Sequence, residues 1–121
     1  MQALLNKDGQ VQAFLFNKSI IDQESKEAIG VILGNIVFGS DSEPKGKFLN
    51  HTIYNTDGYI AAIVENVSNV SVSFPHYQLA NSSWKIIKNI SNYFCPWLEL
   101  KDKWSYEDVT VLLKRLTLQP A

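Results

Sequence analysis

One pattern runs four times, end to end, between Asn6 and Val70, and its period limits what the chain can fold into. A small residue centres each copy: Ala13, Gly30, Gly46 and Ala62, at spacings of 17, 16 and 16 residues. Two positions before each centre stand Val11, Ala28, Pro44 and Ile60, and two positions after stand Leu15, Ile32, Phe48 and Val64. Four after come Asn17, Gly34, Asn50 and Asn66. Self-similarity at a fixed period implies stacked or circularly arranged copies of one supersecondary unit.

Within a copy the apolar residues alternate, as in Val11, Ala13, Leu15 and again in Ile60, Ala62, Val64. Alternation of period two is the strand signal. A strand keeps a small residue where another backbone comes close. Four strands converging on one axis would impose that at their midpoints, and Leu15, Ile32, Phe48 and Val64 would fill the layer beside it. Turns separate the strands. Asn6-Lys7-Asp8-Gly9 and Asn55-Thr56-Asp57-Gly58 are near duplicates, and Asp-Gly supplies the positive φ of a tight turn. The middle copies replace this with Ser25-Lys26 and Asp41-Ser42. A second turn at Asn17-Lys18, Gly34-Asn35 and Asn50-His51 precedes the apolar pairs Ile20-Ile21, Val37-Phe38 and Ile53-Tyr54. Each copy therefore reads as a hairpin of two short strands, eight strands in all.

The period changes in the last third. Val70 to Phe74 alternates as one more strand, which Pro75 stops. Ser82 or Ser83 is placed to cap a helix from Trp84 to Tyr93, with Ile86, Ile87, Ile90 and Phe94 on one face. Ser105-Tyr106-Glu107-Asp108 resembles a capping box ahead of a second helix, whose stripe is Val109, Leu112, Leu113 and Leu116. The expected fold is α+β, mainly β: four β-hairpin repeats around a pseudo-fourfold axis (residues 1–74), then a two-helix tail packed on them (75–121).

The Asp-Gly turns, the small-residue centre and the hairpin-sized period together resemble the four-fold β-flower domain, over residues 4 to 70. The resemblance implies four hairpins set like petals about an axis, a bacterial source and no established activity. Pro44 in a petal strand and the run Asn66-Val67-Ser68-Asn69, which blurs the second strand of the fourth copy, depart from the pattern. A small barrel of the PRC type repeats a related phrase, but the evenness of the spacing argues against it.

Composition narrows the function. The first 64 residues carry 5 Lys against 7 acidic residues and the remainder 6 basic against 5 acidic, so no basic surplus marks a nucleic-acid partner. No run of apolar residues is long enough for a membrane span, and the N-terminus lacks the charged and apolar regions of a signal peptide. The lone Cys95 excludes an internal disulfide and fits a reducing, cytoplasmic setting. Six Asn-x-Ser/Thr triplets, starting at Asn17, Asn50, Asn66, Asn69, Asn81 and Asn89, read as turn chemistry rather than glycan acceptors.

Catalytic constellations are weak. Cys95 with His51 or His76 could form a nucleophile–base pair, but Phe94, Pro96 and Trp97 around Cys95 read as a buried, inert setting. Asp8, Asp41 and Asp57 recur at equivalent positions, more simply as turn stabilisers than as cation ligands. The expectation is a non-enzymatic interaction or structural module, without cofactor or metal, that self-associates as a dimer or binds a protein partner. Its surface would be Trp97, Trp104, Val109, Leu112, Leu113 and Leu116 on the tail. The alternative is a small-ligand-binding protein with a pocket between the repeats and the tail.

Overall fold

A computed structural model describes residues 2–67, 76–91, 93 and 99–115. Eight antiparallel strands close into a barrel in sequence order: β1 (Gln2–Leu5), β2 (Val11–Phe16), β3 (Ser19–Asp22), β4 (Ala28–Leu33), β5 (Ile36–Gly39), β6 (Pro44–Leu49), β7 (Thr52–Asn55) and β8 (Ile60–Asn66). Among the described residues two helices follow, α1 (His76–Ile87) and α2 (Val109–Lys114). The fold is thus mainly β with a helical tail. The expected strand at Val70–Phe74 and the boundary at residue 74 lie outside the described residues.

The fourth hairpin is completed from the other end of the repeat. β8 pairs with β1, setting Leu4 against Val64 and Ala3 against Glu65. The blurred stretch after Asn66 is therefore not needed as a strand, because residues 2–5 already fill that place. Leu4 then joins a second repeat position, Leu4, Ile20, Val37 and Ile53, all fully buried. Each sits directly opposite a small centre: Leu4 with Ala13, Ile20 with Gly30, Val37 with Gly46, Ile53 with Ala62. One level of the interior thus alternates large and small around the ring, which lets side chains fill so narrow a barrel.

The two glycine centres are demanded by their neighbours' backbones. A Cβ on Gly30 would lie 2.7 Å from the Phe38 carbonyl oxygen, and one on Gly46 would collide with the Tyr54 carbonyl. Register shifts beside all four centres leave Gln12, Ile29, Lys45 and Ala61 as extra residues. Such bulges sharpen strand bending, as barrel closure requires.

The turns fall into two sets, one at each end of the barrel. At one end are two-residue turns: Asn17-Lys18 (φ 48 and 69°), Gly34-Asn35 (Gly34 φ 63°) and Asn50-His51 (φ 49 and 60°). At the other are longer turns, each with one positive-φ residue: Gly9, Lys26, Ser42 and Gly58 (φ 77, 61, 66 and 88°). The middle copies lost the glycine and kept the backbone conformation. The first repeat spacing is 17 because the second long turn holds one extra residue: Lys26 N–H reaches back to Asp22 O, whereas Gly9 and Gly58 reach Asn6 and Asn55, three residues back.

Half of the barrel's outer face is apolar. Ala3, Phe14, Ile21, Ala28, Val31 and Phe38 form one cluster with Ile86 of α1. The outward positions of β6–β8, including Lys47, Thr52 and Glu65, stay at least partly exposed. α1 begins at His76, earlier than expected, so Ser82 and Ser83 lie inside it rather than at its cap. They fasten the helix to the barrel instead. Ala28 N–H donates to Ser82 Oγ (3.1 Å), and the Ser83 and Ser19 hydroxyls share a 2.7 Å bond. Ser42 Oγ donates to Ile86 O at 2.6 Å.

Candidate functional site: the two ends of the barrel

The long-turn end is closed by the tail. The segment from Lys101 to Ser105 runs alongside β8. Lys101 N–H donates to Gly58 O (3.0 Å), Ile60 N–H to Lys103 O (2.8 Å) and Ser105 N–H to Ile60 O (2.8 Å). It lies so near the fourth turn that a Cβ on Gly58 would collide with the Glu99 carbonyl, whereas one on Gly9, in the near-duplicate first turn, would meet nothing within 4 Å. α2 then packs against β2, β4, β5 and β8. Its cap differs from the expected one: Asp108 is the N-cap residue, and Ser105 accepts from Glu107 N–H at 3.2 Å.

Val109, Leu112 and Leu113 are 0, 9 and 0 % exposed and belong to the same cluster as Leu4, Ile20 and Ile53. These three predicted surface residues are thus covered by the chain's own barrel. Ser40 clamps the end of the helix, its N–H and Oγ donating to Leu113 O at 2.8 and 3.1 Å. Asp22, on the adjoining turn, receives Lys114 Nζ at 3.2 Å. Burial pushes the Asp22 carboxyl up, but the hydrogen bonds from Ser25 and the Lys114 charge outweigh it, and the net pKa lies below the ordinary value.

Trp104, half-buried, pairs through its backbone with Ile60 and lines a cleft of about 360 Å³ between the fourth turn and the tail, with Asn55, Tyr59 and Tyr106. This is the place where the small-ligand alternative put its pocket. Trp97 and Leu116, like Cys95, lie outside the described residues. His51 is exposed in a short turn, and His76 opens α1. Asp41 pairs with Lys45 at 3.0 Å and accepts from Glu43 N–H. Among the described residues no three His, Cys, Asp or Glu gather in one place, and no helix is long and apolar enough to cross a membrane.

The short-turn end holds a cavity of about 400 Å³. Its floor is Leu15, Ile32 and Phe48, the residues two positions after the small centres of β2, β4 and β6. Period two turns them to the same inner face as those centres. Gln2, Asn17, Lys18 and Gly34 form the rim. Gln2 stands opposite Leu15 in the ladder, which puts its amide on that inner face too. The short turns are held in place by the next strands: Ile32, Phe48 and Val64 N–H donate to the carbonyls of Lys18, Asn35 and His51 at 2.8, 2.9 and 2.7 Å. The floor was legible as a layer beside the axis. That it lines an open cavity, rather than filling the layer, was not.

Comparison with known proteins agrees with this architecture. The family model described as 4-fold beta flower protein matches residues 2–113, which takes in the barrel, α1 and α2 as far as Leu113. No curated protein and no solved structure matches the chain.

Proposed function

From the premise that the chain belongs to the 4-fold beta flower protein family, we propose that it is a non-catalytic binding module whose working site is the short-turn mouth of the barrel. The observation that carries this is the cavity of about 400 Å³ floored by Leu15, Ile32 and Phe48. Its volume lies in the lower part of the range of ligand pockets, about 300–1,000 Å³, and barrel mouths are a recurrent place for them. An apolar floor with a few polar rim groups binds by burial and orients by hydrogen bonding. The lining brings together a single titratable group, Lys18, which is too little for acid–base or nucleophilic chemistry. Self-association through the tail stripe is not part of this reading, since Val109, Leu112 and Leu113 are already spent on the barrel.

Titration with 1-octanol, followed by amide chemical shifts, tests the site. Shifts should gather at Gln2, Leu15, Asn17, Ile32, Gly34 and Phe48. Leu15→Asp, a change at a half-buried position, should abolish them while the fold persists. Shifts confined to the Tyr59–Trp104–Tyr106 cleft would move the site to the tail, and no saturable shifts would end the proposal.

A further inference from the structure

Charge is unevenly divided along the barrel axis. Of the eight carboxylates between β1 and the end of β8, seven, Asp8, Asp22, Glu24, Glu27, Asp41, Glu43 and Asp57, lie in or beside the long turns; the eighth, Glu65, stands opposite Ala3 toward the short-turn end, on the outer face of β8. The three short turns contain no carboxylate; their residues are Asn17-Lys18, Gly34-Asn35 and Asn50-His51. The mouth therefore faces away from most of the barrel's carboxylates, and the one formal charge in its lining is the Lys18 ammonium. Among the described residues Lys18 has no ion-pair partner, and the Gln2 side-chain amide has no hydrogen-bond partner. The Gln2 amide is carried on the inner face, above Leu15. A cation and an amide donor thus border an apolar floor, with no anion in the lining to satisfy them.

We infer that the mouth takes an amphipathic carboxylate: an aliphatic body seated on Leu15, Ile32 and Phe48, its carboxylate received by Lys18 Nζ and the Gln2 amide. The inference rests on the mouth being the binding site. An aliphatic body gains by leaving water in proportion to the apolar area covered. A carboxylate beside an ammonium gains a charge-assisted hydrogen bond, which an alcohol of equal length forms only weakly. A carboxylate facing the acidic long-turn end would meet repulsion instead.

Octanoate and 1-octanol, used as paired probes on the full chain, separate head-group from body. Octanoate should bind at least fivefold more tightly than octanol at low salt, and the difference should shrink as salt is raised. Lys18→Glu, an exposed substitution, should erase the preference, and Lys18→Arg should retain it. Equal affinity of the wild-type chain for both probes, or a preference that survives Lys18→Glu, overturns the carboxylate assignment and leaves the mouth standing. Failure of both probes overturns the mouth itself.

Discussion

A Cβ on Gly46 would run into the carbonyl of Tyr54 on the adjacent strand. Nothing flexible is there to yield, because both groups belong to the ladder that pairs β6 with β7. Gly46→Ala should therefore cost about 1–3 kcal/mol, the usual range for overpacking, without altering the secondary structure. Urea denaturation would read this as a lower midpoint at unchanged slope; a midpoint equal to wild type would mean the strands can part at that point. The small residues were visible as a repeat, yet the cause at the two glycines is local, a neighbouring carbonyl. Periodicity records that a position is tight but not what tightens it.

At the scale of elements, the helices show where sequence reading stops. The stripe of Val109, Leu112 and Leu113 marked α2 as a helix with one buried face, and that face is buried. What covers it was out of reach, since the covering residues come from β2, β4, β5 and β8. The serines of α1 misled for a related reason: Ser82 and Ser83 suit a cap, and only the apposed strands reveal that they bond Ala28 and Ser19. The unbroken apolar run Ile29–Leu33 was the available signal that both faces of β4 are covered, one by the interior and one by α1. Asp22 ties the closing helix to the barrel. Its lowered pKa means that the native state favours the ionised carboxylate. That stability is present above the ordinary value of 3.8 and is lost as pH falls through the lowered one. The melting-temperature gap between wild type and Asp22→Asn should accordingly narrow as pH is taken from neutral to about 3. A gap that widens on acidification would contradict the assignment.

For the whole molecule, the decisive link is β1 with β8. A fourfold period was legible, as were the turns between strands. Which segment would complete the fourth petal was not, because residues 2–5 precede the repeat they finish. Removing residues 1–5 should leave β2 and β8 as bare edges and strip Leu4 from the interior ring. Differential scanning calorimetry should then lose the single sharp transition, and light scattering should show association through the exposed edges. A truncated chain that melts as one cooperative unit would show that the other seven strands close without it.

That link also sets an order of events. During synthesis β1 leaves the ribosome first and has one partner, β2, within a few residues. Its second partner, β8, does not exist until some sixty residues later. Until then each hairpin can form on its own local contacts, but the ring that holds them stays broken and β1 keeps a naked edge. Closure is thus the last long-range event in building the barrel, and the same act that removes the edge completes the mouth, because Gln2 reaches its place beside Leu15 on the strand that must wait. The chain gains its finished mouth and its resistance to edge-to-edge association in one step.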